Sequence, residues 1–216
     1  MILCKETRKP LALTEIKNLI VDRSASQESF HRSSPLVCVG LDGVLFKKIR
    51  QDDLSNLPVE WLKNSVEIEY PVGDNLESCT LLQRPGAADL MLELAKYANP
   101  MIYSSLPEEF IEEALLKLSI AQGDPDDCTD LEYAKATAYD GHYVWSRDQC
   151  IDAPDGYRKT LGTLAEFSDH EINDIWLIDH RPDFVDFPSH VVKVAYFTGD
   201  PADRDLFRVI EQIFID

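Results

Sequence analysis

The apolar run Leu36-Val37-Cys38-Val39-Gly40-Leu41 stops abruptly at Asp42-Gly43. An unbroken apolar segment with β-branched residues suits a strand buried on both faces and closing in a turn, and such strands belong to parallel sheets covered by helices. The rest of the chain supports that placement. From Arg84-Pro85-Gly86 onward, Leu90, Leu94 and Tyr97 fall at spacings of 4 and 3, an amphipathic helix with proline near its first turn. Met101-Ile102-Tyr103 follows as a short strand ending at Ser104-Ser105. Pro107 opens a second helix with Phe110, Ile111, Ala114, Leu115 and Leu118 on one face and Glu108, Glu109, Glu112 and Glu113 largely on the other, the acidic start suiting the helix dipole.

A strand at 142–145, a helix at 157–167, strands at 175–178 and 191–197 and a final helix from about 201 to 214 complete the pattern. Strands alternating with helices predict an α/β fold with a central parallel sheet flanked by helices, whose ligands bind at the carboxyl ends of the strands. The 216 residues exceed the ~150-residue prior for one domain, so one large domain with insertions is expected. Residues 1–34 read as a partly flexible N-terminal extension, with one amphipathic candidate at 11–21 and the linker-like stretch RSASQESFHRSSP. Residues 35–216 form the domain, with insertions at about 46–83 and 122–156. The first insertion is mixed, with a short helix at 58–63 and a strand at 66–70 as its regular elements.

Composition narrows the function. The 39 acidic residues outnumber 21 basic ones, for a formal charge of −18, and such a surface repels phosphate backbones, so no nucleic-acid partner is expected. The charge is uneven, +4 over residues 1–50 and −22 over the remainder, and the basic start reads as a solvated leader. Five cysteines, at 4, 38, 79, 128 and 150, form no C-x-x-C pair, which argues for a reducing compartment. No stretch approaches the ~20 apolar residues of a membrane span and the start carries no signal-peptide pattern, so a cytoplasmic protein is expected. The five histidines show no H-x3-H spacing, and no P-loop or G-x-G-x-x-G is present, which disfavours a histidine-ligated metallohydrolase, a kinase and a dinucleotide enzyme.

Polar groups stand at the ends of the predicted elements: Asp42 after the first strand, Ser104 after the second, Lys159 at a helix start, and Asp179 with Asp183 after the third. Singly each has a bland reading as a turn residue, a cap or a surface charge. Their order is what carries weight. LVCVGLDGVL, RPGAADLMLELAKYANPMIYSSLPEEF, VWSRDQC, GYRKTLGTL, IWLIDHRPDFV and VVKVAYFTGDPADRDLFRVI together resemble, over roughly residues 35–215, the haloacid-dehalogenase superfamily of phosphatases. Within it they resemble the NLI-interacting-factor-like branch that acts on the RNA polymerase carboxy-terminal domain. The first segment is similar to D-x-D-G-T/V-L, the second to the R-P-G helix, strand and T/S motif. The next three resemble R-x-x-C, Y-x-K-x-L and L-x-D-x-x-P.

The resemblance implies a Rossmann-like fold with small insertions and no large cap, and a Mg²⁺-dependent phosphomonoester hydrolase working through an aspartyl-phosphate. It assigns Asp42 as acid and base, with its backbone carbonyl on the metal. Ser104 becomes a donor to a phosphoryl oxygen, Lys159 the cation that neutralises the transition state, and Asp179 and Asp183 metal ligands. His180 stands where the family often has a second acidic group. Without a long regular lid sequence an open crevice is expected, and hence a phosphorylated protein or peptide as substrate.

One departure dominates. At the nucleophile position, where the family places an aspartate that both attacks phosphorus and ligates Mg²⁺, this chain has Gly40. The chain as written is therefore expected to be nearly inactive. Two readings stay open: an inactivated variant of an active phosphatase, or a natural pseudophosphatase that serves as a phosphoprotein- or partner-binding module.

Overall fold

The structure is a computed structural model describing residues 34–120 and 143–214, together with a two-residue antiparallel pairing of 2–3 with 10–11. The amphipathic candidate from residue 12 on, the linker-like stretch before residue 34 and residues 122–142 of the second expected insertion lie outside the described residues.

Five parallel strands form the centre: β1 (Leu36–Val39), β5 (Asn99–Tyr103), β6 (Tyr143–Trp145), β9 (Ile175–Asp179) and β10 (Val191–Lys193), in the order β10-β9-β1-β5-β6. All four residues of β1 and all five of β9 are buried, as their apolar runs require. Helices α1 (Ala87–Tyr97), α2 (Glu108–Ile120), α3 (Leu161–Ser168) and α4 (Asp205–Phe214) flank the sheet. Leu90 and Leu94 of α1 and Phe110, Ile111, Ala114 and Leu118 of α2 enter the core, while the Glu108, Glu109 and Glu112 side stays exposed. The α/β expectation holds.

Several boundaries differ from the sequence reading. Residues 46–83 carry a three-stranded antiparallel sheet, β2 (Phe46–Arg50), β3 (Ser65–Val72) and β4 (Asn75–Gln83), in the order β2-β4-β3. In β3 the alternation is regular, with Ile68 and Tyr70 buried and Glu67, Glu69 and Pro71 exposed. The two-residue connection Gly73-Asp74 closes the β3–β4 hairpin, and Gly73 has φ +60°, the left-handed value such turns demand. Ile68, Tyr70, Cys79 and Leu81 join the main core, and Tyr70 meets Phe110 of α2 edge-on at 4.7 Å, a pair contributing about 0.5–1.5 kcal/mol beyond its buried area. Residues 59–64 form a 3₁₀ turn.

The helix expected from residue 157 begins at Leu161, because residues 156–158 pair as β8 (Gly156–Arg158) with β7 (Ile151–Ala153). Pro154-Asp155-Gly156 is the turn signal between them. Lys159 is therefore a connector residue and does not begin a helix. The α3 start is capped from a distance by Asp186, which accepts from Leu161 N (2.8 Å) and Gly162 N (3.0 Å). Strand β10 ends at Lys193 where the sequence predicted 197, and α4 starts at Asp205 where it predicted about 201, after a loop in which Arg84 pairs with Asp203. No helix among the described residues is long and apolar enough to cross a membrane.

Candidate active site

The chain runs from β1 outward through β5 to β6, then returns to lay β9 and β10 on the other side of β1. That reversal opens a crevice at the carboxyl ends of β1 and β9, the usual ligand position in such sheets. Val39 is in register with Ile178, and Gly40 N donates to Ile178 O at 3.0 Å, so Gly40 and Asp179 face each other across the switch point.

A cleft of about 260 Å³ lies there, lined by Asp42, Ser104, Lys159 and Asp179 among others. Four of the residues read from sequence thus converge. Asp42 is half-buried, and its Oδ1 accepts from Lys48 N at 2.9 Å. Gly43 has φ +74°, and a Cβ there would overlap the Tyr196 ring at 2.3 Å, so only glycine allows Tyr196 to close this wall.

Ser104 sits just beyond β5, 3 % exposed. Its Oγ accepts from Leu106 N at 3.2 Å, which leaves the hydroxyl proton to donate. The R-x-x-C segment braces this loop. Arg147 Nε donates to Ser105 O (3.0 Å), Arg147 N to Leu106 O (2.9 Å), and the half-buried Cys150 Sγ to Ser104 O (3.8 Å).

Lys159 is fixed by its main chain, N to Phe184 O at 2.9 Å and O from Asp186 N at 3.3 Å. The next residue, Thr160, donates its N–H to Tyr103 OH at 2.8 Å. The Lys159 ammonium donates to Asp179 Oδ2 at 2.5 Å, with side-chain exposures of 10 % and 7 %. Asp179 Oδ1 accepts from Arg181 N at 2.8 Å. Burial by itself would raise the Asp179 carboxyl; attraction to Lys159, their hydrogen bond and the Arg181 amide outweigh it and hold the group below the usual carboxylate value. His180, 3.3 Å from Asp179 Oδ1, is pushed down by burial, only partly offset by Asp179, which keeps the imidazole neutral near pH 7.

Asp183 does not join them. It is exposed in a 3₁₀ turn led by Pro182 and is not among the residues lining the cleft. The sequence reading also missed Arg181, whose guanidinium stacks 3.3 Å above Phe184 at the cleft wall, and Tyr196, which meets His180 at 4.9 Å. Arg181 lies two residues after Asp179 in DHRPDF, and that proximity was the available signal.

The donors do not suit a resident Mg²⁺, which demands near-octahedral oxygen coordination. Gly40 brings no side-chain oxygen, and a Cβ built on it would lie 2.6 Å from Asp179 Oδ2, so the Asp179 carboxylate fills the room a side chain would need. Both Asp179 oxygens are engaged. Among the described residues no three histidine, cysteine, aspartate or glutamate side chains gather to hold a metal. What remains is a cleft in which the Lys159 and Arg181 cations and the Ser104 hydroxyl stand beside the Asp42 and Asp179 carboxylates.

The fold has solved counterparts. The fission yeast RNA polymerase II CTD phosphatase Fcp1, as a point variant bound to beryllium fluoride, aligns with TM-score 0.56 at 17% identity, over 76% of this chain and 42% of its own. A second structure of Fcp1, described as an essential RNA polymerase II CTD phosphatase, aligns with TM-score 0.56 at 13% identity, over 93% of this chain and 52% of its own. The chain thus spans about half the length of these relatives or less. No curated protein matches it in sequence. The profile of the NLI interacting factor-like phosphatases matches residues 35–215, from β1 through α4, and the chain belongs to that family.

Proposed function

We propose that this chain is a catalytically silent member of the phosphatase family, a module that binds a phosphorylated segment of a protein partner without hydrolysing it. The observation that carries the reading is Gly40 with the Asp179 carboxylate closed upon it: the attacking oxygen is missing and its space is taken. Loss of a covalent nucleophile lowers turnover by several orders of magnitude. Binding groups survive such a loss. Lys159 and Arg181 offer positive charge, and the Ser104 hydroxyl offers a neutral donor, so a phosphoryl group receives charge-assisted hydrogen bonds on the cleft floor. Asp42, tied to Lys48 N, stands on the side from which the esterified oxygen would enter by the family resemblance, and its charge disfavours a second anion there. The likeness to Fcp1, named as a CTD phosphatase, supports a phosphorylated protein as the class of partner.

Retention of Asp42, Ser104, Lys159 and Asp179 in one cleft favours a competing reading, an inactivated variant of a Mg²⁺-dependent phosphatase. Turnover of para-nitrophenyl phosphate with Mg²⁺, by the wild-type chain and by Gly40→Asp, separates the two when paired with binding of a phosphorylated and an unphosphorylated peptide. The expected result is no turnover by either protein and at least tenfold tighter binding of the phosphorylated peptide. Mg²⁺-dependent turnover by the wild-type chain, or by a folded Gly40→Asp, overturns the silent-module reading, and equal affinity for the two peptides removes the phosphate-reading role.

A further inference from the structure

We propose that the cleft captures a phosphoryl group without any divalent cation, the Lys159 ammonium serving as its resident positive charge. This rests on the phosphoryl-binding reading above and specifies how that same site works.

The first observation is the closed triangle of Gly40, Asp179 and Lys159. Asp179 Oδ2 stands within 2.6 Å of where a Cβ on residue 40 would be, and the same oxygen receives Lys159 Nζ at 2.5 Å. The glycine therefore does more than delete a ligand. It lets the remaining carboxylate settle against the β1 backbone, where the lysine neutralises it. A small hard cation binds where several oxygens, usually including carboxylates, can surround it. Here it would find two carboxylates with oxygens already engaged: Asp179, paired with Lys159 and with its other oxygen holding Arg181 N at 2.8 Å, and Asp42, whose Oδ1 holds Lys48 N at 2.9 Å. To gain Asp179 as a ligand, the cation would have to displace an ammonium that is itself nine-tenths buried.

The second observation is where positive charge lies in a strongly acidic chain. Against a net charge of −18, the cleft lining holds Lys159 and Arg181 beside the Asp42 and Asp179 carboxylates. Among the described residues the Lys159 ammonium donates only to Asp179, and an ammonium has three N–H donors. Arg181 lies flat on Phe184, which fixes the guanidinium plane and leaves its N–H edge for an anion. A phosphomonoester dianion is thus met by Arg181, by the Lys159 N–H donors not given to Asp179 and by the Ser104 hydroxyl, with no metal between it and the protein.

The test is titration of the wild-type chain with phenyl phosphate, followed by amide NMR, in EDTA and again with about tenfold more Mg²⁺ than protein. Dissociation constants within twofold of each other support the proposal. A tenfold or greater tightening with Mg²⁺ overturns it while leaving the phosphoryl-binding reading intact. Absence of binding in both buffers overturns that reading and this one with it. Mn²⁺ added to the phosphate-free protein reports the cation directly: the Gly40 and Asp179 amides should escape site-specific paramagnetic broadening, and saturable broadening there overturns the proposal. Lys159→Met, a near-isosteric loss of charge, should weaken phenyl phosphate binding at least tenfold in either buffer; unchanged affinity also overturns it.

Discussion

Two buried ion pairs, Arg84 with Asp203 and Lys159 with Asp179, differ in how completely they are satisfied. Arg84, its side chain inaccessible to solvent, donates from Nε to Asp203 Oδ1 (2.9 Å), from Nη2 to Asp203 Oδ2 (3.0 Å), and from Nη1 to Val44 O (3.3 Å) and Ala195 O (3.0 Å). Asp205 stands 3.6 Å away. This one guanidinium ties the loop after β1 to the segment before Tyr196 and to the start of α4, the backbone that frames the cleft. With four of its five N–H donors bonded and Asp205 beside Nη2, this guanidinium has little left to give a ligand. Lys159 makes one such bond at the floor of an open cleft. The saturated pair holds the scaffold, and the unsaturated pair retains capacity to bind.

The sharpest way to break this contrast is to remove one partner from each pair. Asp203→Ala strands a guanidinium that is fully enclosed, and unfolding by urea should show a loss of about 3 kcal/mol. Lys159→Met strands Asp179 beside a cleft that admits water, with the Arg181 amide still in place, and should cost about 1 kcal/mol. Equal losses would mean that the cleft pair is structural too. Between these lies Gly40→Ala. Its Cβ must push Asp179 Oδ2 off Lys159, so a loss of about 1–2 kcal/mol is expected from overpacking in thermal denaturation. If the stability is unchanged, the carboxylate is not closed on the glycine as the geometry requires.

The two regions also differ in how far the sequence disclosed them. Strands β1 and β9 and helices α1 and α2 were legible because each element has one uniform environment, an unbroken apolar run or a face of 3.6-residue period. The antiparallel sheet was not. Phe46-Lys47-Lys48-Ile49-Arg50 buries only Phe46 and Ile49, a spacing that breaks the strand period, and β4 is exposed over its first four residues and buried over the next four. The Gly73-Asp74 turn was the overlooked signal. At the site, Asp42, Ser104 and Asp179 come together because they lie at or just past the carboxyl ends of β1, β5 and β9, which the parallel topology gathers on one side, and Lys159 joins them from the connector after the β7–β8 pair. Asp183 lies apart from them, because spacing along the chain does not say which way a proline-led turn faces. Closure of Asp179 on Gly40 depends on contact across two strands, which no local pattern records.

Acid titration gives the smallest and most discriminating difference. In Asp203 burial raises the carboxyl, but the Arg84 hydrogen bonds, the Asp205 amide and the charges of Arg84 and Arg208 pull it below the usual value. Asp179 is likewise lowered, by Lys159 and Arg181 N against its own burial. A carboxyl depressed in the folded state contributes stability that is complete above its ordinary value, 3.8, and is lost as pH falls through the lower folded value, since there the unfolded chain binds more protons. Stability measured by urea unfolding should therefore decline below about pH 4, and Asp203→Asn should flatten that decline. The two pairs part in salt. Asp203 is 18 % exposed against 7 % for Asp179, so raising ionic strength screens the Asp203 carboxylate more, and the acid limb remaining in Asp179→Asn should shrink further with salt than the limb remaining in Asp203→Asn. Equal salt sensitivity would show that solvent ions reach Asp179 through the cleft as freely as they reach Asp203 at the surface, and a cleft open to small ions has room for a phosphoryl group.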